Sequence, residues 1–183
     1  MGHSPLGVRA PSFWRRVMNH VSDHPHFVQL QQGLAEGTSN DWFIRHLMPK
    51  AIEMNRHWRT ILIETNGELL GLELEHPKLR SYALIMPDPS TPGMYRAQYF
   101  DSKGMKAHMT WATPEQVLES LIMAGYVRIS RGALERLSVT REWAIGMYKV
   151  DLIRRLNAGE ICFASAERLL MEFEAQVQSV AAR

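Results

Sequence analysis

Three histidines and a carboxylate near the front of the chain, His20, Asp23, His24 and His26, are residue types that hold first-row metals, since neutral imidazoles one helical turn apart can share an ion. Pro25 breaks the turn that would align His20 with His24, and no second cluster supplies a fourth ligand. They read as ordinary surface histidines, and no metal or other cofactor is expected. Cys162 is the single cysteine, so no intrachain disulfide can form. Its neighbours Ile161 and Phe163 suggest a buried thiol rather than a nucleophile, which needs an accessible, electropositive setting. A reducing compartment, the cytoplasm, suits that usage.

Glu73, Glu75 and Asp101 could together do acid/base work, but carboxylates spaced along strands read first as solvated charges. The chain holds no G-x-S-x-G elbow, H-E-x-x-H helix, phosphate loop, G-x-G-x-x-G turn or paired C-x-x-C. No catalytic residue is assigned.

Arginines and lysines crowd the stretch after Gly125: Arg128, Arg131, Arg136, Arg141, Lys149, Arg154 and Arg155. Two short helices there could form a helix-turn-helix with a recognition helix over 131–137. The whole chain carries only +2, with 21 basic against 19 acidic side chains, which is neither a DNA mimic nor a strongly basic surface. At 100° per residue, Arg141, Lys149 and Arg154 sit about 80° to 140° apart, with Glu142 and Asp151 among them. A solvated, internally paired surface is the plainer reading; nucleic-acid binding through Arg128, Arg131, Arg136 and Arg141 is the alternative.

The segment around Asp101-Ser102-Lys103-Gly104 carries the strongest turn chemistry. Asp at the first position and Gly at the fourth suit a three-residue loop with a bulge. That register puts Tyr95, Ala97 and Tyr99 on one face with Met105, Ala107, Met109 and Trp111, and Arg96, Gln98 and Phe100 on the other with Lys106, His108 and Thr110. The first set is apolar and expected inward. The second offers Phe100 among Arg96, Gln98, Lys106 and His108, a ring with donors around it that fits a partner's pocket. Eleven methionines add adaptable apolar surface, read mainly as core filler.

The elements that must position these groups follow from local signals. Residues 1–11 form a loose leader, and 12–57 are helical, with Ser12 as a first cap and Ser39 or Asn40 as a later one. Residues 59–75 alternate around Asn66-Gly67 and read as two strands; the rival is a helix from Lys50 to Glu64 with Gly67 beyond its end. Strands then run to Trp111. Thr113, Pro114 and Gln116 make a capping box, and Gly125 ends that helix. Ser130 and Thr140 cap two more, and Gly159 precedes a last helix striped by Ala166, Leu169, Leu170, Phe173, Val177 and Val180. That stripe can dock on the sheet or pair with a copy of itself.

The fold expected is one α+β domain over 12–183: an antiparallel sheet of four to five strands with its hairpin at 95–111, helices on one face, and a helical C-terminal third (113–181). No uninterrupted apolar run reaches membrane-spanning length, so no membrane is expected. With no catalytic motif, and with Phe100, the methionines and the near-neutral charge, the reading is a non-catalytic protein-binding module, an adaptor, regulator or inhibitor that occupies its partner. A nucleic-acid-binding regulator comes second, and an enzyme without a recognisable motif third.

Overall fold

A computed structural model describes residues 21–37 and 41–180. The expected leader, the helix capped by Ser12, and His20, Ser39 and Asn40 lie outside the described residues. The chain divides into two compact units, one ending at Leu69 and one starting at Leu70.

In the first unit, helix α1 (Pro25–Ala35) packs on α2 (Asp41–Thr65). Pro25 occupies the first turn, where its missing N–H costs nothing, and the His24 ring caps the helix by accepting the His26 N–H at 3.2 Å. His24 is therefore fully buried, not a surface histidine, with its ring edge-on to Trp58 at 5.1 Å. Its own N–H donates to Asn55 Oδ1 at 2.7 Å. Asn55 and Arg59 both donate to Asp23, and these bonds, Arg59 first, hold the Asp23 carboxyl below its usual range.

Of the two strands expected on either side of Asn66-Gly67, the first is not formed, and the second is formed only at its end, where Glu73, Leu74 and Glu75 enter a strand that runs to His76. Helix α2 runs through Pro49 to Thr65, burying Ala51, Trp58 and Ile61 at helical spacing. Gly67 closes it in the left-handed conformation (φ +77°), donating to the Leu62 carbonyl at 2.9 Å. An Asn-Gly pair supports either a hairpin or a helix end; the 3.6-residue spacing of Trp58, Ile61 and Thr65 decides for the helix.

The second unit is built on a five-stranded antiparallel sheet, so the fold is α+β. Its strands are β1 (Glu73–His76), β2 (Ser81–Pro87), β3 (Tyr95–Asp101), β4 (Gly104–Trp111) and β5 (Arg128–Ile129), in the order β4-β3-β2-β1-β5. Helix α3 (Pro114–Met123) buries Val117, Leu118, Leu121 and Ile122 against the face carrying Ala83, Ile85 and Ala97. Its cap forms, with the return bond one residue earlier than in a capping box: the Thr113 hydroxyl accepts the Gln116 N–H at 3.3 Å, and the Gln116 side chain reaches past Thr113 to accept the Ala112 N–H at 3.2 Å.

The β3–β4 connection differs from the expected three-residue loop. Asp101 pairs with Gly104 across a two-residue turn, Asp101 Oδ1 accepting the Lys103 N–H at 2.7 Å. The irregularity lies inside the ladder, where Lys106 and Ala107 together oppose Tyr99. Beyond it the expected pairs Tyr95 with Trp111 and Ala97 with Met109 are formed, but Met105 moves to the Phe100 face.

Helices α4 (Ala133–Ser138), α5 (Arg141–Asn157) and α6 (Phe163–Val180) complete the unit. Thr140 caps α5 as expected, accepting the Trp143 N–H at 3.2 Å. Ser130 does not cap α4. Gly132 holds the cap position in the left-handed conformation (φ +71°) without a side chain, and Glu73 on β1 replaces one: its two carboxylate oxygens accept the N–H groups of Ala133 at 2.6 Å and Leu134 at 3.2 Å. Among the described residues, no helix is long and apolar enough to cross a membrane.

Candidate functional site

Phe100 is 0% exposed. It packs with Ala133 and Trp143 and with the half-buried Tyr82, Leu84, Met105 and Met147, stacking on Tyr82 at 5.5 Å and meeting Trp143 edge-on at 6.1 Å. The contact patch expected around it is therefore not available as a surface. Gln98 is also buried, its amide donating to the carbonyls of Tyr99 at 3.2 Å and Ala107 at 3.1 Å, the peptide groups that the bulge displaces. Arg96 is half-buried, Lys106 is paired with Asp101 at 3.2 Å, and His108 is exposed on the edge strand. Hairpin register alone showed that one face is apolar; it carried no sign that α4 and α5 return to cover the other.

The close fit of α5 on the sheet explains why that cover is tight. Gly146 lies directly against the Lys103 carbonyl in the β3–β4 turn, where any side chain would collide with backbone. The neighbouring Met147 accepts the Met105 N–H on its sulfur at 3.4 Å.

The basic residues after Gly125 do not assemble into a track. Arg128 pairs with Glu75 at 3.8 Å, and Arg136 folds back on the Arg131 carbonyl at 2.7 Å. Lys149 pairs with Glu174 at 3.1 Å, Arg154 with Asp151 at 3.0 Å, and Arg155 with Glu160 at 3.7 Å. Arg131 and Arg141 are exposed. The expected recognition helix is α4, six residues long, its apolar side against Phe100 and Trp143 and its N-terminus held by Glu73.

Glu73, Glu75 and Asp101 do not converge either. Glu73, expected to be solvated, is buried beneath α4; Glu75 serves Arg128; Asp101 holds the turn. The described residues contain no group of three or more His, Cys, Asp or Glu that could hold a metal ion. Cys162 overturns its expected burial. It is exposed at the N-cap of α6, its carbonyl accepting the Ala166 N–H at 3.0 Å and its sulfur 3.3 Å from Ser165 Oγ. Those contacts, the Ser165 hydroxyl first and then its amide, pull the thiol below its ordinary value. Ile161 and Phe163 flank it in sequence, but a helix start points successive residues in different directions.

The feature that stands out is the outer side of the α5–α6 hairpin. The stripe on α6 docks on α5 and not on the sheet, with Tyr148 stacked on Phe173 at 4.2 Å. That docking is incomplete: Leu169, Leu170, Phe173 and Val177 all remain half-buried. Between the helices runs an apolar groove of about 280 Å³, walled by Leu152, Ile153 and Leu156 on one side and Phe163, Ala166 and Leu170 on the other, with Lys149 and Glu167 at its rim. Ile153 is 57% exposed, Phe163 65% and Met171 64%. The residues alone give the stripe but not which element receives it; the narrowness of the stripe is the available signal.

No family profile, curated protein or solved structure matches the chain.

Proposed function

We propose that this chain is a non-catalytic protein-binding module of the cytoplasm, acting as an adaptor, regulator or inhibitor that occupies its partner through the outer face of the α5–α6 hairpin. One observation carries the reading: an 18-residue amphipathic helix keeps its apolar stripe half-exposed beside an open apolar groove. Contiguous apolar surface with a polar rim is the anatomy of a protein interface core, and the exposed Phe163 and Met171 are among the residue types enriched there. The carboxylates and arginines described above are engaged in holding the fold, which supports binding over chemistry.

The test is affinity capture from the native host with the wild-type chain and with Ile153→Glu. Because Ile153 is more exposed than buried, the variant should melt like the wild type while losing the captured protein. Retention of every co-eluting protein by Ile153→Glu would place the contact elsewhere.

A further inference from the structure

Independently of the hairpin face, we propose that His24 is an acid-released latch on helix α1, holding the start of that helix against α2 while its ring is neutral and letting it go when the ring takes up a proton. The hydrogen bonds fix the state of the ring. A backbone N–H can only donate, so the Nδ1 atom that receives the His26 N–H at 3.2 Å carries a lone pair, and the ring is neutral with its proton on Nε2. An imidazolium has two donors and no acceptor. Protonation therefore sets a donor against the His26 N–H and removes the side-chain cap of α1.

The ring has no room to turn away from that conflict. His24 is 0% exposed and edge-on to Trp58 at 5.1 Å, and its backbone is pinned on both sides: its N–H donates to Asn55 Oδ1 at 2.7 Å and its carbonyl accepts the Val28 N–H at 3.1 Å. A positive charge there would lie buried at the N-terminus of α1, where the helix dipole opposes it. Among the described residues in this network, Asp23 would favour the charge, but its carboxylate is already held by Arg59 at 2.8 Å and Asn55 at 3.0 Å. Arg59 offsets Asp23 with a cation of its own, and His26, exposed with its ring 6.5 Å away, adds a like charge once protonated. With α1 released, His24 binds a proton as an ordinary histidine does, near pH ~6.5. The released state then holds more protons than the latched one, so acidification favours release by up to about tenfold per pH unit. The latch is closed at neutral pH and opens as pH falls.

Nuclear magnetic resonance on the full chain reads the ring and the helix separately. The His24 ring should show the Nε2–H tautomer at neutral pH and titrate with a midpoint below the roughly 6.5 of an exposed histidine. Between about pH 7 and pH 5.5 the amide protons of α1 should lose roughly five- to tenfold of their protection, after correction for the intrinsic pH dependence of exchange. His24→Asn keeps a capping oxygen that takes up no proton, so its α1 protection should be equal at the two pH values. A His24 ring that titrates at or above about pH 6.5 overturns the latch, and so does α1 protection that ignores pH in the wild type or follows it equally in His24→Asn. If that variant does not fold, the wild-type ring titration decides alone.

Discussion

Replacing Gly146 with alanine tests how α5 is mounted on the sheet. On an open helix the change is favourable by about 1 kcal/mol, because alanine is the better helix former. Here the added methyl overlaps the Lys103 carbonyl oxygen, with the carbonyl carbon at 2.5 Å and Cα at 3.1 Å, where ordinary carbon contacts sit near about 3.5–4 Å. The obstacle is backbone, so either the β3–β4 turn or α5 must retreat by roughly 1 Å. Retreat loosens the Met147 sulfur from the Met105 N–H and from Gly104, and opens the contact of Phe100 with Trp143. Overpacking of this kind costs about 1–3 kcal/mol and outweighs the propensity gain. The expected net loss is about 1 kcal/mol, the overpacking cost less the propensity gain, read as a lower urea midpoint by tryptophan fluorescence and as a fall in Tm of roughly 2–4 °C. A Gly146→Ala chain as stable as wild type, or more so, would refute the close mounting and with it the account of how Phe100 is covered.

Phe100→Ala should cost about 3–5 kcal/mol in the same urea titration, since the ring is fully buried; an unchanged midpoint would return Phe100 to the surface. Asp88 accepts from the Thr110 hydroxyl at 2.7 Å and from the Ser90 amide at 2.7 Å, and these bonds, Thr110 first, hold its carboxyl below the usual range. A depressed carboxyl contributes stability at pH values above its unfolded value and loses it as pH falls through the lower folded one. The urea midpoint of wild type should therefore drop on acidification below about pH 4 more than that of Asp88→Asn, and parallel curves would contradict the bonding. Cys162 should react with iodoacetamide along a pH profile whose midpoint lies below the roughly 8.5 of a free cysteine. A midpoint at or above that value would remove the contacts with Ser165.

What could be read from residues alone was set by how local its cause is. The Thr113 cap with Gln116, the Thr140 cap and the apolar stripe of α6 depend on neighbours within a turn or two, and each is formed. The far half of the β3–β4 ladder was also legible, because the alternation of Tyr95, Ala97, Met109 and Trp111 fixes which side they share. Where two local rules competed, the sequence was ambiguous: Asn66-Gly67 ends a helix here because Trp58 and Ile61 are buried at helical spacing. The position of Phe100 was out of reach for a different reason. Its burial comes from Ala133 and Trp143, more than thirty residues downstream, and from the bulge that turns Met105 to the same side. Glu73 is hidden likewise, since the N-terminus it holds belongs to a helix sixty residues away.

These distant contacts divide α5 between two tasks, and the division explains why the groove is where it is. Its first half is committed to the sheet: Trp143 fills the space beside Phe100, Gly146 lets the helix settle on the Lys103 carbonyl, and Met147 accepts from Met105. Its second half lines the groove with α6: Leu152, Ile153 and Leu156 form one wall, and Ile153 stays more exposed than buried. Apolar residues placed there on packing grounds alone would need a second cover, yet Ala166, Leu169, Leu170, Phe173 and Val177 on α6 are all only half-buried. A rigid inner half joined to an incompletely covered outer half holds an apolar face at fixed geometry without further ordering on contact, which lowers the entropic cost of binding. Loosening the inner half, as in Gly146→Ala, should therefore weaken binding at the outer half even though the altered residue touches no partner.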